Sequence, residues 1–296
     1  MIAFENKIDG VYHLLCPFGD CWTGITLIRG RKNYLIDCGG NAECIDKYLL
    51  PALSELSMTV SDVDYLLITH THADHIGGAA RLKEHNPSIR YAVCEQSADK
   101  VRDPLKYNKA IRAVFPEHSP APSAGLAGLE PDLIVRDGDV IEGEMRFVFT
   151  PGHDTDSGCW LHLPTRTLIS GDSLQMNGTD VQGIGLYMDL PAYRSSIEKL
   201  KGTKICNILT GHHFLPLGYE AYGENAVREY LDKCSKLVDE YHRFVKKKVL
   251  RGLDALGIAK ALIAHVDGIE PKFMFLPLFT VTEHLKQYKN DLLTID

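Results

Sequence analysis

Short apolar runs and strict alternation fill the first two thirds of the chain. This period of two predicts strands over residues 11–15, 24–28, 33–37, 65–69, 91–94, 133–135, 147–150, 159–163, 167–170 and 207–210. Residues 159–170 form a hairpin pattern that turns at Pro164-Thr165-Arg166. Helices are expected between strands, over 45–56, 76–85 and 192–201. The last has Asp189 placed to cap its first turn, Pro191 inside that turn and Gly202 just past its end. From about residue 219 the period lengthens. Val227, Leu231, Cys234, Val238, Tyr241 and Val245 recur every three or four positions, the stripe of one long amphipathic helix. Two more helices are expected over 253–265 and 281–292. Residues 96–131 break the pattern, with Pro104, Pro116, Pro120, Pro122 and Pro131 and an Ala/Ser/Gly-rich stretch over 121–128. A long irregular insertion of this kind predicts either a cover over a functional site or a surface excursion with no role.

Composition then removes whole classes. The 296 residues are 45% hydrophobic and 24% charged, ordinary for a globular chain. A chain of that mass buries about three quarters of its unfolded surface, so a large core is available. The apolar run from Phe273 to Val281 contains Pro277 and is far shorter than the ~20 residues that cross a bilayer, so no membrane partner is expected. Residues 1–15 carry Glu5, Lys7 and Asp9 and lack the apolar stretch of a signal peptide. The formal net charge is −7, and the short Lys246-Lys247-Lys248 segment fits a solvated helix end, which argues against a nucleic-acid partner. The 8 cysteines are scattered without a C-x-x-C pair, several in apolar runs, so reduced thiols and a cytoplasmic location are expected.

Chemistry concentrates in Leu66-Leu67-Ile68-Thr69-His70-Thr71-His72-Ala73-Asp74-His75-Ile76-Gly77-Gly78. An apolar strand ends, and three histidines and an aspartate follow at once. His70 and His72 lie two apart and project to the same side of an extended chain, so both imidazoles reach one cation. Asp74 and His75 follow a turn and suit a second cation nearby. Burying four such side chains unpaired would be costly, and imidazole with carboxylate suits zinc, iron or manganese. Each further candidate ends another predicted strand and follows a glycine: His153 after Gly152, Asp172 after Gly171, and His212 or its neighbour His213 after Gly211. Alternation allows only one of that last pair to point inward, and His212 is chosen.

These residues, His70-x-His72-x-Asp74-His75, Gly152-His153, Gly171-Asp172 and Gly211-His212, resemble the metallo-β-lactamase superfamily in type and order. The run Tyr34-Leu35-Ile36-Asp37-Cys38-Gly39 is similar to an early strand of that family. The resemblance implies an α/β fold, a four-layer αββα sandwich with a helical C-terminal extension. It implies a catalytic unit over 1–218 carrying the insertion or lid at about 96–131, and an extension over 219–296 packed on it. It implies two divalent ions, zinc with iron or manganese as alternatives. One is held by His70, His72 and His153, the other by Asp74, His75 and His212, with Asp172 bridging.

The reaction expected on this basis is hydrolysis of an ester-type bond, a thioester or lactone of a small acyl or aromatic substrate, by a metal-bridging hydroxide. Asp74 is expected to pass the proton to the leaving group. Tyr187 and Tyr193 are the candidate oxyanion-binding residues, by analogy with lactonases of the superfamily. The Phe214-Leu215-Pro216-Leu217 stretch suits an acyl chain or plain core packing, and His118 is a candidate substrate contact. An iron-dependent sulfur dioxygenase and a phosphodiesterase of the same superfamily are the alternatives. The helices after residue 219 either close the mouth of the site or form a homodimer interface.

Overall fold

The predicted alternation resolves into two sheets in a computed structural model, which describes residues 2–293. The first sheet holds β1 (Glu5–Ile8), β2 (Val11–Phe18), β3 (Cys21–Arg29), β4 (Asn33–Ile36), β5 (Tyr65–Leu67), β6 (Arg90–Cys94) and β7 (Leu133–Val135), in that spatial order. Pairing is antiparallel from β1 to β4 and parallel from β4 to β7. The second sheet holds β8 (Val140–Ile141), β9 (Met145–Phe149), β10 (Gly158–His162), β11 (Thr167–Ile169), β12 (Asn207–Phe214) and β13 (Gly218–Tyr222), again neighbours in chain order. Only β11 and β12 run parallel there, and such a pair needs a long crossover.

Side-chain alternation builds the layers. Tyr34, Ile36, Tyr65 and Leu67 face Phe147, Trp160, Ile169 and Leu209 in a core between the sheets. On the opposite face Leu35, Leu66 and Val93 pack under Leu49, Leu53, Ile76 and Leu82. The latter group comes from α1 (Leu50–Glu55) with the π-helical segment Cys44–Leu49 before it, α2 (Ala73–Ile76) and α3 (Ala79–His85). Two further short helices, α4 (Ala98–Arg102) and α5 (Pro104–Arg112), follow β6. The outer face of the second sheet, with Cys159, Leu161, Leu168 and Ile208, is covered by α6 (Leu190–Lys201), α7 (Glu224–Val249), α8 (Ala255–His265) and α9 (Phe275–Leu293). The chain is therefore the expected αββα sandwich, and α7 buries the stripe of Val227, Leu231, Cys234, Val238, Tyr241 and Val245. Each such side chain stabilises the packed helix by about 1.5–3 kcal/mol.

Several elements differ from expectation. β1, β8 and β13 were not predicted: β8 is two residues long, and β1 and β13 are outer strands with charged residues, which carry a weak apolar signal. The helix expected over 76–85 divides into α2 and α3 at Gly77, where a Cβ would sit 1.9 Å from the Gly40 carbonyl oxygen. The segment 96–131 is partly helical. Pro104 opens α5 and does not break the chain there, and the Asp103 carboxylate caps that helix by accepting from the Lys106 amide. Pro277 likewise lies in the first turn of α9, which starts at Phe275 and not at residue 281. Residue 1 and residues 294–296, the outer ends of the two expected segments, lie outside the described residues.

Candidate metal centre

β5 lies inside its sheet between β4 and β6, and the chain leaves its C-terminal end directly into the histidine run. His72 is still extended (φ −66°, ψ 148°) and caps α2, whose first turn carries Asp74 and His75. Across that change of backbone the His70 and His75 rings come within 4.1 Å, centre to centre. His153 follows β9, Asp172 follows β11, and His212 lies within β12. At Gly211 a Cβ would lie 2.5 Å from Asp172 Oδ1 and 2.8 Å from His75 Cε1, so only glycine permits this approach.

All seven predicted ligand residues meet. The ring centres of His70 and His72 are 4.7 Å apart, and His153 lies 4.9 and 4.6 Å from them. The donor atoms of His70, His72 and His153 lie within 4.8 Å of one another, as do those of Asp74, His75 and His212. Asp172 sits between the two groups, 3.4 Å from His75 Nε2, 3.5 Å from His212 Nε2 and 3.6 Å from His153 Nε2.

Outer partners fix which nitrogen of each ring faces the centre. Asp37 accepts from the Thr69 amide at 2.9 Å, the Thr69 hydroxyl at 2.8 Å and His75 Nδ1 at 2.7 Å. Because Thr69 gives its proton to Asp37, its oxygen accepts from His70 Nδ1 at 3.1 Å, and His70 Nε2 is left as a lone pair. His153 Nδ1 donates to the Leu186 carbonyl at 3.0 Å and His212 Nδ1 to the Trp22 carbonyl at 2.6 Å. His72 turns Nε2 toward Asp154 at 3.4 Å, which leaves Nδ1 facing His153 Nε2 at 3.0 Å. These two nitrogens therefore face each other across the centre, placed where one cation could take both as donors. Lys100 supports Asp154 and Asp156, each at 2.8 Å.

The charged neighbours split the four shifted histidines of the centre into two kinds. Burial, reinforced by neighbouring imidazoles, holds His70 well below the usual histidine range and lowers His153 to about 3. Both imidazoles are neutral at pH 7. Burial would raise the Asp74 and Asp172 carboxyls, but the facing histidines outweigh it and keep both below the ordinary range. The same attraction overcomes burial at His75 and His212 and raises them. His70 Nε2, His75 Nε2 and Asp172 Oδ1 are buried and have no hydrogen-bond partner. Orphaned donors and acceptors of this kind are rare and costly. Nitrogen and carboxylate donors converging in overlapping groups, His70, His75 and Asp172 forming a third, fit divalent zinc, iron or manganese.

His72, Asp74, His153, Asp172 and His212 form the floor of a cavity of about 210 Å³, with Ile111, Leu186, Met188, Phe275 and Leu276 on its walls, while His70 and His75 are buried and do not line it. α5 and the start of α9 cover it, so part of the 96–131 segment shapes the site. Other sequence candidates lie elsewhere. Tyr187 and Tyr193 do not line the cavity: both are fully buried, their rings stack at 4.7 Å, and burial raises both hydroxyls. The Tyr187 hydroxyl pairs with His284 Nε2, and that of Tyr193 accepts from the Gln175 amide at 2.9 Å. Packing of their large rings between the second sheet and its helices decides this placement. Phe214 belongs to the same core, and His118 is not among the cavity residues. The supporting residues Asp154 and Gln175, which donates to Asp172 at 3.0 Å, had no sequence signal. Nor did Tyr107 and Arg112, which line the roof.

A sandwich of this layering with this cluster at its edge defines a family. The chain belongs to the metallo-β-lactamase superfamily, whose model matches residues 23–212. It is 26% identical over 234 residues to the beta-lactamase-like protein 2 homolog of Caenorhabditis elegans, covering 75% of this chain and 64% of that one. It is 23% identical over 252 residues to thioesterase pkgB of Emericella nidulans, covering 82% and 58%. The chain thus spans somewhat under two thirds of each of these relatives. Among solved structures it is similar to a metallo-beta-lactamase family protein from Thermus thermophilus, with a TM-score of 0.74, 20% identity and coverage of 96% and 95%. Among the described residues no helix is long and apolar enough to cross a membrane.

Proposed function

We propose that the protein is a dinuclear metallohydrolase that cleaves an ester-type bond, a thioester or lactone, in a small acyl or aromatic substrate. The observation that carries this is the convergence of five imidazoles and two carboxylates, of which His72, His153, His212, Asp74 and Asp172 line an otherwise largely apolar cavity. A thioesterase among the relatives supports the bond type. His70, His72 and His153 would hold one ion, and Asp74, His75 and His212 the other, with Asp172 reaching both. When bound, divalent ions supply Lewis-acid charge that acidifies water and stabilises negative charge developing on the substrate. The chain's own part is positional. The apolar walls exclude bulk water and seat the acyl or aromatic group over the floor. Asp74 Oδ2 is engaged by His212 at 3.0 Å and Thr23 at 3.4 Å, which leaves Oδ1 to take a proton from attacking water and return it to the leaving group.

Metal analysis coupled to a panel of thioesters, lactones and phosphodiesters tests this. Two bound ions per chain and turnover of a thioester or lactone are expected, with both lost in His72→Ala and Asp172→Ala. Turnover that survives exhaustive chelation would overturn the proposal. Oxygen consumption by an iron-only form would replace hydrolysis with dioxygenation, and cleavage confined to phosphodiesters would replace the bond class.

A further inference from the structure

The roof of the cavity holds a cation that no acid matches. Arg112 ends α5 and lines the cavity above the histidine floor. Its Nη1 donates to the Asn108 carbonyl at 3.2 Å, and its guanidinium carbon lies 5.8 Å from the centre of the Phe275 ring. Its Nε is buried and donates to nothing. Among the described residues no carboxylate lies within the 4.0 Å of an ion pair with it. Tyr107, on the same helix, lines the same cavity. Lys100 Nζ sits 4.1 Å from its ring centre, but the Tyr107 hydroxyl is buried and has no partner. Lys100 cannot serve a ligand itself, being committed to Asp154 and Asp156.

A half-buried guanidinium and a phenol in the lining of one cavity, each with a buried atom left unpaired, are costly. An anionic oxygen group in that cavity would meet guanidinium donors, which match a carboxylate or phosphate in a fork. We propose that Arg112 and Tyr107 form an anion subsite, and that the substrate carries a carboxylate or phosphate there in addition to its scissile bond. The statement about substrate rests on the hydrolase reading of the floor. Ile111, Leu186 and Phe275 line the same cavity, so the part of the substrate joining the two ends is apolar.

Calorimetric titration of the full-length protein with hexanoate, hexyl phosphate and hexanamide, metal-loaded and after chelation, tests the subsite. The anionic probes are expected to bind about tenfold or more tightly than hexanamide in both forms. Arg112→Ala removes that preference, Arg112→Lys keeps part of it, and Tyr107→Phe weakens it less. The tighter of hexanoate and hexyl phosphate identifies the group. Equal binding of hexanoate, hexyl phosphate and hexanamide by the wild type, or a preference that survives Arg112→Ala, overturns the subsite. Melting curves of each variant establish that it is folded, and Arg112→Gln replaces Arg112→Ala if that variant is not. A parallel comparison of thioesters with and without a terminal carboxylate reads the ratio of their kcat/KM values, expected to fall about tenfold in Arg112→Ala. If the loaded wild type cleaves no ester or thioester, the hydrolase reading fails while the titrations still decide the subsite.

Discussion

Asp37 shows how much of this centre depends on a residue that never faces the cavity. It is buried, accepts three hydrogen bonds from Thr69 and His75, and through Thr69 also sets the tautomer of His70. Its backbone is left-handed (φ 59°), a conformation that Asp and Asn tolerate better than other side chains. Asp37→Asn keeps shape and backbone preference but replaces one acceptor oxygen with an amide nitrogen that cannot accept from His75 Nδ1. Metal affinity is therefore expected to fall about 10–100-fold, measured by competition with a chromophoric chelator, without loss of the fold. An unchanged affinity would show that ring orientation does not depend on this carboxylate. The ligand residues were legible because histidine and aspartate at the end of an apolar strand have few other reasons to be there. The role of Asp37 was not, because its partners lie at positions 69 and 75, across a strand pairing that no local pattern announces.

Element ends follow local chemistry closely where a cap is present. Asp189 accepts from the Ala192 amide at 2.9 Å, Pro191 lies in the first turn of α6 and Gly202 follows its last, all as the residue types predict. Asp189→Ala removes one capping bond at an exposed end and is expected to cost about 1 kcal/mol in urea unfolding, with no change in metal content. α5 shows the opposite case. Its Asp103-Pro104 start carries the same two signals, but a proline-rich neighbourhood masks them, and the stretch that roofs the site reads from sequence as irregular chain. Whether a proline opens a helix or ends one depends on the backbone before it, and a single sequence does not reveal that.

At the scale of the whole molecule, buried histidines outside the centre couple stability to pH. His13 lies inside the sandwich, donating or accepting at Thr26 Oγ1 over 3.0 Å and stacked on Tyr219. Burial, helped by the Lys7 charge, lowers it to about 3. Its unfolded value is near 6.5, so between pH 6.5 and 3 the unfolded chain holds a proton that the folded chain excludes. Stability is then lost as pH falls through that window, by up to about 1.4 kcal/mol per pH unit from this residue. Urea unfolding of chelated protein at pH 7 and pH 5 is expected to show a smaller loss in His13→Gln than in the wild type. An equal loss would mean that His13 protonates without cost in the folded state.

Period and residue type marked most of the strands, the long C-terminal helix and the seven candidate ligands, because burial of apolar faces and clustering of metal-type side chains are written locally, and the resemblance of that motif to a known superfamily supplied the αββα class. Tertiary structure alone decided which nitrogen of each ring looks inward, that Tyr187 and Tyr193 are core residues, and that Arg112 faces the cavity. Those properties depend on contacts between segments tens to hundreds of residues apart. Chain folding in three dimensions sets such contacts, and no periodicity within one element encodes them.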